Sequence, residues 1–136
     1  MKTSLMKGPI VTKLLLTITL AVLSIVGCTS SESETPVQSI QSIIQLYEAR
    51  DFDSLIRSRY AEIYKAENEE QIQMLIDRFT TRFQDENKLN EAISTYKSVL
   101  ELTPELSEND TVAIFKLDNG FIKLSQMQNG KWGFHL

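Results

Sequence analysis

The hydrophobic period of this chain changes once, near Pro104, and that change constrains its fold more than any other feature. Before Pro104, apolar residues recur every three or four positions, the spacing of a helix face. After it they alternate, the spacing of a strand with one buried face. The first stripe is Val37, Ile40, Ile43, Ile44 and Tyr47. Thr35 as N-cap and Pro36 at the first helical position open it. A break at Ala49–Asp53 precedes a second stripe of Phe52, Leu55, Ile56, Tyr60, Ile63 and Tyr64. Asn68 to Gln71 reads as a capping box with Asn in place of Ser or Thr. It opens a third helix carrying Ile72, Leu75, Ile76, Phe79 and Phe83. Leu89, Ala92, Ile93, Tyr96, Val99 and Leu100 make a fourth. Each stripe covers one side only, as surface helices require.

Beyond Pro104, Thr111 to Leu117 reads as a strand, Asp118-Asn119-Gly120 as a turn and Phe121 to Gln128 as a second strand. Asn129-Gly130 is another turn, since Asn-Gly supplies the left-handed backbone of a two-residue hairpin. Lys131 to Leu136 follows as a third strand, with Trp132, Phe134 and Leu136 on one face and Trp132 as its core anchor. Leu102 to Glu108 adds a short leading strand, which Pro104 confines to an edge. Helices first and strands after imply an α+β domain over residues 37–136. Three to four helices pack on one face of a three- to four-stranded antiparallel meander.

Residues 1–36 cannot belong to that core. Met1 to Lys13 is basic, and Leu14 to Gly27 is an uncharged apolar run. The run is short for a bilayer span of about 20 residues and matches the hydrophobic core of a signal peptide. It ends in Ile25-Val26-Gly27-Cys28, which resembles the lipobox of bacterial lipoproteins. There a small residue before the cysteine admits the signal peptidase, and the thiol takes up diacylglycerol. The resemblance implies a signal peptide over residues 1–27, recognised at Ile25, Val26 and Gly27, with a lipid on Cys28 as the membrane contact. Thr29, where Asp would retain a lipoprotein in the inner membrane, implies the outer membrane facing the periplasm of a two-membrane bacterium. An uncleaved N-terminal anchor is the alternative. Thr29 to Pro36 is polar, and residues 28–36 read as lipidated cysteine and flexible tether.

Charge and composition narrow the chemistry. The whole chain has 14 basic and 18 acidic side chains. Three of the lysines precede Cys28, so eleven basic residues face eighteen acidic ones in the remainder, a net charge of −7. Such a surface repels nucleic acid and anionic headgroups. One Cys and one His leave no ligand set for a metal or a disulfide framework. No phosphate-binding glycine loop occurs, and no cofactor is expected. His135, the lone His, falls on the strand face opposite Trp132 and Phe134 and reads as an edge or solvent position.

Two stretches resemble known families. Leu46-Tyr47-Glu48-Ala49-Arg50-Asp51-Phe52-Asp53-Ser54-Leu55 is similar to the first helix and bend of the nuclear transport factor 2-like, or cystatin-like, superfamily. Asn129-Gly130-Lys131-Trp132 resembles the hairpin that ends many of its small exported members. This resemblance implies a curved sheet wrapped on helices, often with a pocket and a homodimer through the sheet. Ala92, Tyr96, Val99 and Pro104 also match the second helix of a tetratricopeptide repeat. One such unit cannot bury its own face, so an ordinary helical hairpin accounts for them.

Two functional classes remain. One is a non-catalytic binding module held in the envelope, with an envelope protein or a small apolar ligand as partner. Its pocket would draw on Tyr47, Tyr60, Tyr64, Tyr96 and Trp132, all on apolar stripes. The other is a small hydrolase or isomerase using Asp51 and Asp53, unless these carboxylates cap the second helix. A helical-repeat assembly factor is a third idea and needs residues 105–136 to be helical. The anchor is testable directly: Cys28→Ala is expected to abolish acyl labelling and leave the precursor uncleaved by lipoprotein signal peptidase, both read by metabolic labelling and gel mobility. Unchanged processing and membrane association would contradict the lipobox reading.

Overall fold

The computed structural model describes residues 33–136. Cys28, its recognition residues Ile25, Val26 and Gly27, the signal segment and residues 28–32 of the tether lie outside the described residues. The described residues form four helices followed by a four-stranded antiparallel sheet, an α+β arrangement. The helices are α1 (Pro36–Glu48), α2 (Phe52–Arg59), α3 (Glu69–Arg82) and α4 (Glu86–Ser98), with a 3₁₀ turn at Ile63–Lys65. The strands are β1 (Glu105–Ser107), β2 (Val112–Leu117), β3 (Gly120–Gln126) and β4 (Trp132–Phe134), in that order across the sheet. None of these helices is long and apolar enough to cross a membrane.

Every α-helix begins at a side-chain cap, because the first amides of a helix have no partner within it. Thr35 Oγ1 accepts from the Gln38 amide while Gln38 Oε1 accepts from the Thr35 amide, a complete capping box. Asp51 accepts from Ser54, Asn68 from Gln71 and Asp85 from Asn87. The box expected at Asn68 is shifted: the Gln71 side chain reaches the amide of Glu67 rather than that of Asn68. Gly130, at φ 78°, makes the left-handed turn of the last hairpin. Glu108, Asn109 and Asp110 are also left-handed, at φ 53°, 58° and 64°, and carry the chain from β1 into β2.

The helical stripes meet in one core. The rings of Tyr96, Tyr47, Phe83, Phe79, Phe134 and Tyr60 follow one another with centroids 5.2–5.9 Å apart. Ala113, Phe115 and Leu124 close the sheet side and are fully buried. Burial of one such large side chain contributes about 1.5–3 kcal/mol. α1 packs on both α2 and α4, and α2 on α3, while the sheet leans on α1 and α2 through β4.

Three boundaries differ from the sequence reading. The second helix stops at Arg59 rather than running to Tyr64, because Tyr60 turns extended and bridges Phe134, with the Ala61 amide donating to the Phe134 carbonyl. That crossing is close. A Cβ on Gly133 would come within 2.8 Å of the Arg59 carbonyl oxygen and 2.9 Å of Ala61 Cα, so β4 needs glycine there. Leu136 is exposed although Trp132 and Phe134 are buried, since β4 ends at Phe134. Finally, the domain reaches further toward the N-terminus than residue 37. Glu34, Thr35 and Pro36, read as tether, are held by it.

Glu34 is the reason. Its carboxylate accepts from both terminal nitrogens of Arg59, at 2.6 and 3.0 Å, and from Ser39 Oγ at 2.8 Å and Ser42 Oγ at 3.3 Å. Arg59 is 5% exposed and Ser39 fully buried. Ser39 Oγ also accepts from the Trp132 amide at 3.2 Å, and the Trp132 indole donates to the Glu34 carbonyl at 2.9 Å. One polar cluster thus joins residue 34, the first turns of α1, the end of α2 and the start of β4. Burial alone raises the Glu34 carboxyl pKa, but the hydrogen bonds from Arg59 and Ser39, the charge of Arg59 and Ser42 outweigh it, and the carboxyl is held below its usual 4.5.

Glu34→Gln keeps the shape and leaves the Arg59 guanidinium buried without a counter-ion. Breaking a buried pair costs about 3–5 kcal/mol, and with Glu34 partly exposed the low end is expected. A group with a lowered folded-state pKa stabilises fully above its unfolded value and loses that contribution as pH falls through the folded one. Urea unfolding is therefore expected to separate the variant from wild type by about 3 kcal/mol at pH 7. The gap should shrink steadily as the pH falls below 4.5. A gap independent of pH would contradict the ion pair as its source.

Candidate functional site

Because the sheet leans on α1 and α2, the α3–α4 hairpin does not close onto it, and a groove of about 380 Å³ opens between them. One wall is α4, where Lys88, Glu91, Ala92, Thr95 and Tyr96 recur at helical spacing on one side. The opposite wall is Ile122 of β3 with Phe134, His135 and Leu136. Phe79, Arg82 and Phe83 at the end of α3, with Tyr47 from α1, complete the lining. The volume falls in the lower part of the range of small-molecule sites, about 300–1,000 Å³.

The polar groups of this groove are few. Tyr47 and Tyr96 stack at a tilt with centroids 5.6 Å apart. Neither hydroxyl has a hydrogen-bond partner among the described residues, and no buried side-chain oxygen among them is left unsatisfied. Burial pushes both phenols well above their ordinary pKa; the Arg82 charge opposes this at Tyr47, and Tyr47 adds to it at Tyr96. Both are therefore neutral hydroxyls at pH 7. The Arg82 guanidinium lies over the Phe83 ring, 5.5 Å from its centroid. Among the described residues neither Arg82 nor Lys88 takes part in an ion pair, whereas Arg50, Arg57, Arg59, Lys65, Lys97 and Lys116 all do.

Of the five residues proposed from sequence to share a pocket, the structure brings together two, Tyr47 and Tyr96. Tyr60 packs its ring on Phe134 and donates its hydroxyl to Glu62 at 3.3 Å, on a different cavity. Tyr64 is three-quarters exposed beside Met127 and the last hairpin. Trp132 is core and is committed to Glu34. The sequence reading missed Ala92, Arg82 and Lys88 as lining residues. Ala92 does sit on the stripe with Tyr96, which was the available signal, but nothing local marks the two cations.

Asp51 and Asp53 do not make an acid–base pair. Both are exposed at a shallow depression between α2 and α3. Asp51 caps α2 and Asp53 pairs with Arg57 at 3.1 Å, which in turn binds Glu69. The capping reading of these carboxylates is the one the geometry supports.

His135 is not a free edge residue. Its Nε2 lies 2.7 Å from Ser125 Oγ, and its Nδ1 lies 3.9 Å from Glu62. Burial lowers its pKa, Lys123 adds to this and Glu62 opposes it. The order Ser, His, acid is that of a hydrolytic triad, but the orienting contact is too long for a hydrogen bond. Glu62 is engaged by Lys65 at 2.8 Å, and Ser125 lies within β3, paired with Val112 on one side and Gly133 on the other. Its strand neighbours spend their backbone groups in the sheet, so no free donors surround an oxyanion. No group of three His, Cys, Asp or Glu among the described residues is placed to hold a metal.

Comparison with protein-family models finds no match to this chain, and searches of curated proteins and of solved structures find none either. Since the two hydroxyls bond no group among the described residues, Tyr47→Phe and Tyr96→Phe are expected to change stability by less than about 0.5 kcal/mol each, measured by thermal or urea unfolding. A loss above about 1.5 kcal/mol would mean that the hydroxyl is structural and not available to a ligand.

Proposed function

We propose that this chain is a lipid-anchored envelope protein whose α+β domain binds a small ligand in the groove between α4 and the sheet. The observation that carries the reading is a cavity with an aromatic floor and two hydroxyls that, among the described residues, have no partner, where the described residues place no nucleophile beside a positioned base. Such a lining orients a ligand without transforming it. The lipobox at Cys28 supports export and attachment to the periplasmic face of an outer membrane. Cys28 precedes Glu34 by six positions, at most about 20 Å of extended chain. A lipid there keeps Glu34 close to the bilayer. Helices followed by a meander support kinship with the nuclear transport factor 2-like superfamily on the same footing. A homodimer through the sheet has less support: its outer face carries Lys116 and Lys123, with Phe121 as a large exposed apolar residue.

The test is native mass spectrometry of the full-length chain extracted from membranes in mild detergent. Wild type is expected to carry a small-molecule adduct in addition to its acyl groups. Ala92→Trp, which fills the groove, is expected to lose it. Bare chain in both, or an adduct indifferent to Ala92→Trp, would contradict the reading.

A further inference from the structure

We infer that the groove selects a small carboxylate with a flat, ring-sized apolar body; the inference rests on the groove being the ligand site. Three features of the lining lead to it. The half-buried ring of Tyr96 faces the groove over a buried aromatic floor of Tyr47, Phe83, Phe79 and Phe134, successive rings lying 5.2–5.9 Å apart, a setting that favours stacking or edge contact with another ring. The volume of about 380 Å³ accommodates one or two fused rings.

Charge supplies the third feature. The part of the chain after the lipobox is acidic overall, with eighteen acidic residues against eleven basic ones. The groove reverses that balance. Arg82 and Lys88 stand on it without an ion-pair partner among the described residues, and Glu91 is its one acidic side chain. Lys88 and Glu91 are three positions apart on α4, neighbours on one side of the helix, so among the lining side chains Arg82 is the cation with no carboxylate beside it on its own helix. Arg82 is held over Phe83, so its planar fork is presented beside the aromatic floor. A guanidinium so placed matches a carboxylate in two parallel hydrogen bonds. The Tyr47 and Tyr96 hydroxyls are donors of the same kind, neutral and unengaged. An uncharged ligand would leave the cation unanswered, and a cationic one would be repelled by it.

The probes are 2-naphthoate and its uncharged analogue 2-naphthamide, titrated by calorimetry into the full-length chain in nanodiscs of zwitterionic lipid, with empty discs subtracted. Naphthoate is expected to bind at least tenfold more tightly than naphthamide. Arg82→Gln is expected to erase that preference, weakening naphthoate about tenfold and leaving naphthamide unchanged. Ala92→Trp should abolish binding of both. Equal binding of the two probes, both blocked by Ala92→Trp, would overturn the charge selection while leaving the groove as the site. Binding that survives Ala92→Trp, or no binding of either probe, would overturn the groove reading as well. Unchanged far-UV circular dichroism of each variant keeps these outcomes separate from misfolding.

Discussion

The ion pair between Glu34 and Arg59 is the contact on which the architecture of this domain turns. It costs a desolvated guanidinium, and the cost is met because no buried polar side-chain atom among the described residues is left without a partner. Arg59 faces two carboxylate oxygens and Ser39, Ser39 links Glu34 to the Trp132 amide, and the Trp132 indole closes on the Glu34 carbonyl. Apart from the Ser39–Glu34 contact, five positions long, the partners stand between 20 and 98 positions apart in the chain. Four segments with no local reason to meet are joined by one satisfied network, and a half-satisfied one would be worse than an apolar core.

The groove follows from the same closure. With β4 drawn to α1 and α2, Tyr60 and Ala61 pass along Phe134 and the sheet is committed to the first helical pair. α4 is held by α1 and α3 by α2, and the aromatic chain links them to the sheet at Phe134. The opening between α4 and β3–β4 is therefore a consequence of topology, and the residues that line it come from three helices and the far end of the sheet. Lipid attachment before Glu34 would make the clamp also the point where any pull from the membrane enters the fold.

The parts of this fold that were legible in the sequence are those set by local rules. The caps at Thr35, Asp51 and Asn68, the change of period near Pro104 and the turns at Gly120 and Gly130 all act within a few residues. They fix four helices and a meander. The clamp was not legible, because Ser39 and Ser42 look like ordinary polar positions beside an apolar stripe and Glu34 looks like part of a polar leader. Nor was the end of α2: Tyr60 fits the helical stripe, and only its pairing with Phe134, 74 positions later, makes it extended. For the site, a stripe shows which side of a helix faces inward but not which helix it will face. Tyr47 and Tyr96 meet because α1 packs on α4, and Tyr60, Tyr64 and Trp132 go elsewhere for the same reason. His135 shows the converse, since its strand face was read correctly while its bond to Ser125 required the β3–β4 register.

If the clamp is what joins helices to sheet, its amides must open only when the whole domain does. Native-state hydrogen exchange, resolved amide by amide, measures this. The account predicts that the Trp132 amide, which donates to Ser39, and the Ala61 amide, which donates to Phe134, exchange with the same free energy as the sheet-centre amides of Ala113 and Leu124. Exchange of Trp132 and Ala61 at a free energy several kcal/mol below that of the sheet centre would show β4 fraying from an independently stable core, and would contradict it.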